Sequence, residues 1–166
     1  MAQSNAKKII KKTLRNIAQN IAYIAVKKIE PLRKNNNTVL IMTENQISYK
    51  ILDAAYKVHT ALGPGLLESS YQAALAYELK KLGMYVEKEK ALPLIYEDVY
   101  LEIGYRIDIL VESKVVIEIK SVDSLNDIHL AQVLTYLKLS GCKLGLLLNF
   151  NVKSMKDGIR RVVNNL

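Results

Sequence analysis

The chain contains one cysteine, Cys142, in 166 residues. That excludes an internal disulfide framework, and also a zinc or iron–sulfur site built from several cysteines of one chain. A lone cysteine after Gly141, at the expected start of a strand, reads as a small buried hydrophobe. No apolar run approaches the ~18 residues that a membrane-spanning helix needs. No internal repeat is visible. These absences point to a soluble chain in a reducing, cytoplasmic setting. Apolar residues make up 50% and charged residues 24% of the chain, the balance of a globular protein rather than a disordered one. The length suits one domain, which at this size buries roughly 70% of the surface its unfolded chain exposes.

Acid is nearly missing from the first 41 residues. They hold nine Lys and Arg, including Lys7, Lys8, Lys11, Lys12 and Arg15, against the single acid Glu30. The rest, 42–166, holds 15 basic and 15 acidic residues. The net charge of +8 therefore belongs to a basic arm, and the body must be read from its sites. In the arm, Ile10, Leu14, Ile17, Ile21 and Ile24 recur at helical spacing. Such a basic amphipathic helix can touch a membrane surface, an acidic partner or nucleic acid. The polar stretch Lys34-Asn35-Asn36-Asn37-Thr38 reads as a linker, and Met42 as a natural start. The expectation is that residues 1–41 are an over-extended start or a dispensable tail.

In the body, Asn45 can cap a helix to about Leu62, with Ile47, Ile51, Leu52, Ala55 and Val58 inward. Gly63-Pro64-Gly65 breaks it. A second helix is expected over 67–82. Strand-like runs follow at 84–90, 92–96, 99–103, 105–111 and 115–121, with turns at Glu97-Asp98 and Glu112-Ser113-Lys114. A third helix is expected over 125–139 and a buried strand over 143–149. The segment 154–164 fits short helix or strand. A helix between strands 115–121 and 143–149 makes a βαβ crossover, so those two strands should be parallel. The fold class is α/β, a mixed sheet flanked by helices.

Chemistry concentrates in the hairpin 105–121. A three-residue loop at 112–114 sets Asp108 opposite Glu118 and Arg106 opposite Lys120. Alternation puts these four on one face and Ile107, Ile109, Val111, Ile117 and Ile119 on the other. Two facing carboxylates repel and cost stability. A divalent cation such as Mg²⁺ would justify them, with Lys120 activating water or neutralising a reacting phosphate. A salt-bridged surface is the plain alternative. Gln132 and Tyr136 share one face of the third helix. Glu68 and Tyr71 are neighbours near the start of the second, where the helix dipole favours a carboxylate. Each pair alone is what an ordinary helix would show. His129 reads as a surface histidine, and His59 as a residue of the first helix with no role. The ten tyrosines form no readable stacking platform.

Taken together these residues resemble a known family. Gly65-Leu66-Leu67-Glu68-Ser69-Ser70-Tyr71 matches the motif of the GxxExxY proteins. Gly104-Tyr105-Arg106-Ile107-Asp108, followed by Glu118-Ile119-Lys120, resembles the D…ExK core of the PD-(D/E)xK nuclease superfamily. Gln132-x-x-x-Tyr136 is similar to the QxxxY motif of the exonuclease branch attached to recombination helicases. The motifs fall in the family's order and cover about 44–164. The resemblance implies a restriction-endonuclease-like αβββαβ core. It also implies a catalytic set of Glu68, Asp108, Glu118 and Lys120, with the three carboxylates holding Mg²⁺ or Mn²⁺. Gln132, Tyr136, Tyr71 and Arg106 are the expected substrate contacts, and the partner is nucleic acid, DNA ahead of RNA. The competing expectation is a catalytically silent module, binding nucleic acid or protein on the same fold. The neutral body favours it, because free DNA binding draws on a basic surface.

Because the body carries its own capped first helix, removing residues 1–41 should leave the thermal midpoint nearly unchanged. A fall beyond the ~2–4 °C that ~1 kcal/mol produces at this size would show the arm to be part of the fold.

Overall fold

The structure, a computed structural model, describes residues 41–97 and 99–166. Residues 1–40 of the expected arm, and Asp98 of the expected turn, lie outside the described residues. The fold described is the unit Met42–Leu166. Its elements run α1 (Glu44–Leu62), α2 (Glu68–Lys81), β1 (Val86–Tyr96), β2 (Val99–Val111), β3 (Val115–Lys120), α3 (Asp127–Ser140), β4 (Leu144–Asn149), a 3₁₀ turn (Met155–Gly158) and β5 (Ile159–Val163). The expected four strands between 84 and 111 are thus two long ones. The last segment is neither helix nor strand alone but a 3₁₀ turn followed by an edge strand.

The cap of α1 lies two residues before the expected one. Thr43, not Asn45, is the N-cap: its hydroxyl accepts from the Gln46 amide, and the Gln46 side chain accepts from the Thr43 amide at 2.9 Å. This reciprocal pair satisfies two amide donors that a helix start leaves free. Asn45 instead accepts from Arg161 of β5 at 2.8 Å. α3 starts on a second such box, in which Asn126 accepts from the His129 amide and His129 Nδ1 accepts from the Asn126 amide. His129 is therefore a capping residue. α3 ends at Gly141, whose φ of 73° suits a residue without a side chain.

The sheet order is β1-β2-β3-β4-β5. β3 and β4 run parallel and all other neighbours antiparallel, as the crossover through α3 requires. Glu112 and Ser113 both take a φ of 53°, the geometry of a tight primed turn. That turn sets Val111 against Val115, Leu110 against Val116 and Ile109 against Ile117, the expected register.

Helices cover both faces. α1 and α2 pack Ile47, Ile51, Ala55, Val58, Leu75 and Leu79 onto Ile109, Val111, Val115, Ile117, Ile119 and the β4 leucines Leu144, Leu146 and Leu148. α3 packs Val133, Tyr136 and Leu137 onto Ile107, Leu110, Val116 and Leu147. Buried on both sides, β3 and β4 read as nearly continuous apolar runs. Two corrections follow. The salt-bridged surface weighed for the hairpin's polar face does not describe Glu118, which is buried where α3 covers Leu110 and Val116, while Arg106 on that face is exposed. Ile107 packs on the α3 side rather than with Ile109, because β2 loses its regular alternation at Asp108. His59, expected to have no role, is buried and ties α1 to the chain after β4, with Nε2 2.8 Å from the Val152 carbonyl. Cys142 is a buried free thiol, as expected.

α3 can lie close to β4 because Gly145 has no side chain; a Cβ there would meet Val133 Cγ1 at 2.5 Å. Gly145→Ala should therefore cost about 1–3 kcal/mol in denaturant melts. Gly104→Ala, where a Cβ meets nothing within 4 Å, serves as the control and should change stability far less.

Candidate active site

The β2–β3 ladder ends one rung before Asp108 and Glu118. Beyond the Ile109–Ile117 pair, the Asp108 carboxylate replaces the backbone partner, and its Oδ2 accepts from the Ile119 amide at 2.8 Å. This swap carries Asp108 toward Glu118 on the next strand. Glu118 is only 2% exposed. Its Oε1 accepts from Lys120 Nζ at 2.5 Å, and its Oε2 is buried with no hydrogen-bond partner. Leaving a buried acceptor unsatisfied costs about 1–3 kcal/mol, and more for a charged group.

The electrostatics follow from this packing. Burial, then the Asp108 charge, pushes the Glu118 carboxyl up from 4.5 to about 7 against the pull of Lys120. Asp108 is also raised, chiefly by burial, although the Ile119 amide and Lys120 oppose the shift. Burial would lower Lys120, but the hydrogen bond and charge of Glu118 outweigh it and hold the ammonium above its usual range. The Glu118 contact thus favours the charged form of Lys120.

The other expected site residues divide. Glu68, at the start of α2, accepts from the Ser121 amide at 3.0 Å through Oε1, and Ser121 Oγ donates to the Leu66 carbonyl. It therefore sits where β3 ends, beside the carboxylate pair. It lines a cleft of about 210 Å³ with Ser69, Gln72, Glu89 and Asp108. Of the three carboxylates expected to share a metal, Asp108 and Glu118 act on each other directly, and Glu68 is the third to reach this end of the sheet. The backbone amide of Ser121 has taken one oxygen of the third. Tyr71, an expected substrate contact, is fully buried and stacked on Phe150 with centroids 4.5 Å apart. Its hydroxyl donates to the Gly63 carbonyl and accepts from the Leu66 amide, so it ties down the loop that precedes Glu68. Gln132 donates to the Tyr136 hydroxyl at 2.7 Å, and Tyr136 stands edge-on to Tyr105. Burial, then the Glu118 and Asp108 charges, keeps the Tyr136 phenol protonated against the opposing Gln132 bond and Lys120 charge. Tyr136 is buried and Gln132 half-buried, so Gln132 is the more accessible member of the pair. Arg106 is exposed, 3.7 Å from Glu89.

Three residues of this region had no clear signal in the chain. Gln72 lies one turn after Glu68 and could have been found by that spacing alone. Glu89 lies in a run of alternating charges that reads as a solvated edge. Asn149 ends an apolar run; it is 1% exposed, accepts from the Val122 amide and donates to the Val122 carbonyl, and so holds the chain that leaves β3.

The donor set suits a hard divalent cation. Such an ion needs only one or two protein carboxylates besides water and phosphate, and the partnerless Glu118 Oε2 beside Asp108 offers them. The family model for the PD-(D/E)XK nuclease superfamily matches residues 45–162. The chain belongs to that superfamily. Neither a curated protein nor a solved structure gives a significant match. Superfamily members are in general metal-dependent nucleases, and the five-stranded mixed sheet with three helices is consistent with their restriction-endonuclease-like core. No described helix is long and apolar enough to cross a membrane.

A carboxyl whose folded value is raised from 4.5 to about 7 binds its proton more tightly in the native state. Its contribution to stability is complete below pH 4.5 and is lost as pH rises to about 7. In EDTA the wild type should therefore lose thermal stability across that window, and Glu118→Gln should flatten the profile. A profile unchanged by the substitution would show that Glu118 does not carry the titration.

Proposed function

We propose that this domain is a divalent-cation-dependent nuclease of the GxxExxY kind that hydrolyses phosphodiester bonds in nucleic acid. The observation that carries the reading is the buried Asp108–Glu118 pair, with one oxygen unpartnered and Lys120 in contact. Asp108 and Glu118 would hold Mg²⁺ or Mn²⁺, which when bound supplies Lewis-acid polarisation of the phosphate and a nucleophile at neutral pH. Lys120 acts as a fixed charge that neutralises the reacting phosphate and holds Glu118 in place. Glu68 borders the site and orients groups through the Ser121 backbone. Gln132 and Arg106 contact the strand. The likeness of Gln132-x-x-x-Tyr136 to the motif of recombination-helicase exonucleases favours DNA over RNA. Catalysis is the better reading because the acid pair is costly without a cation. A silent binding module on this fold has one observation in its favour, the zero net charge of 42–166.

The test is cleavage of single- and double-stranded DNA and RNA by the full chain with Mg²⁺, Mn²⁺ or EDTA. Cleavage should require the metal. Asp108→Asn should lose both activity and metal-dependent thermal stabilisation, while remaining at least as stable as wild type in EDTA. Lys120→Ala should lose about 10²-fold or more in rate and keep metal stabilisation. Equal cleavage by all three proteins would defeat the assignment and leave the binding module.

A further inference from the structure

Glu89 carries backbone strain in the middle of β1. Its φ is 53°, a left-handed conformation, in a strand interior. Such residues persist where the surroundings over-determine them, and they cluster at functional sites. Lys88 pairs with Ile109 and Lys90 with Ile107, but no ladder pair joins Glu89 to Asp108 between them. The missing rung frees the half-buried Asp108 carbonyl, which needs another partner. Gln72 supplies it from α2. This residue is 9% exposed, and its Nε2 donates to the Asp108 carbonyl at 3.0 Å and to Glu89 Oε1 at 2.6 Å. Glu89 Oε2 lies 3.7 Å from Arg106.

We propose that Gln72 and Glu89 are positioning residues for Asp108, a clamp that holds this carboxylate out of the sheet ladder and toward Glu118. The inference rests on the metal-centre reading above. Asp108 is gripped from two sides: its side chain by the Ile119 amide, its backbone by Gln72. Glu89 fixes the Gln72 amide, and its left-handed backbone holds open the rung that Asp108 would otherwise close. β2 changes face here, with Ile109 packing toward α1 and α2 and Ile107 toward α3. The positioning role follows from the bonds made: the Gln72 nitrogen donates to both the Asp108 carbonyl and Glu89 Oε1, and the other Glu89 oxygen faces Arg106.

The experiment is Mn²⁺ titration of the full chain by calorimetry without nucleic acid, beside thermal midpoints in EDTA. Glu89→Gly removes the clamp's carboxylate while suiting the backbone, so its EDTA midpoint should be no lower than wild type. Its Mn²⁺ affinity should fall by about 10–100-fold, the usual effect of losing a group that orients a metal ligand. Glu89→Gln keeps an acceptor for Gln72 and should bind Mn²⁺ within about threefold of wild type. Gln72→Leu should lose affinity as Glu89→Gly does; should it fail to fold, the two Glu89 variants decide. Mn²⁺ affinity of Glu89→Gly equal to wild type would overturn the clamp. Equal losses in Glu89→Gln and Glu89→Gly would overturn it too, because the charge rather than the bond would then matter. A wild type that binds no Mn²⁺ would defeat the metal-centre reading itself.

Discussion

A glutamate buried between two helical layers is the constraint around which this site is arranged. Glu118 lies on β3, a strand covered on both faces, with 2% exposure and one oxygen lacking a partner. A carboxylate in that position is expensive, and Asp108 beside it adds like-charge repulsion. Three features offset the cost: the Lys120 ammonium on one oxygen, the Ile119 amide on Asp108, and a raised proton affinity. An apolar pair would fill the space without that expense. The arrangement therefore makes physical sense as a place where a positive charge is to be held.

The surrounding fold delivers these groups to one end of the sheet. The parallel β3–β4 pair, joined through α3, brings Lys120 level with Asn149. Asn149 secures the chain that leaves β3, and Ser121 in that chain holds both Glu68 and the Leu66 carbonyl. From the other side Tyr71, stacked on Phe150, pins the Gly63–Leu66 loop. The start of α2 and the end of β3 are thus fastened together by hydrogen bonds to backbone groups, beside the apolar core that Tyr71 and Leu75 share with Ile117 and Ile119. α3 completes the enclosure from the opposite face, seated closely over Gly145.

The charge distribution bears on how such a site would meet a polyanion. The residues 42–166 are balanced, with 15 charges of each sign, while nine of the chain's basic residues precede Met42. Phosphate affinity that depends on counterion release needs clustered Lys and Arg. Within the body, the cations nearest the carboxylates already have carboxylate partners, Lys120 with Glu118 and Arg106 with Glu89. Recognition by the body would therefore rest on short-range contacts and a held metal more than on long-range attraction.

What the chain's own residues determined was the part governed by local chemistry. Alternating Ile and Val, with a turn at Glu112-Ser113-Lys114, specify the hairpin and its register, because a primed turn and a two-residue repeat leave one pairing that buries the apolar set. The helix between two apolar runs specifies their parallel pairing. The same register singled out Asp108, Glu118 and Lys120 as neighbours, although the ladder itself stops at Ile109 and Ile117 and Asp108 is held in place by the Ile119 amide and Gln72. The cap of the first helix is a different case: Asn45 is an equally good capping residue type, and Thr43 takes the position through its reciprocal bonds with Gln46. Only the tertiary structure decided the rest. Tyr71 and His59 look like surface helix residues until Phe150 and Val152 arrive from 79 and 93 residues later in the chain. Ile107 changes face, Glu68 turns to the Ser121 amide, and Glu89 adopts a left-handed backbone against Gln72. None of these follows from periodicity, since each is set by a partner on another element, and a break in a ladder has no sequence period to announce it.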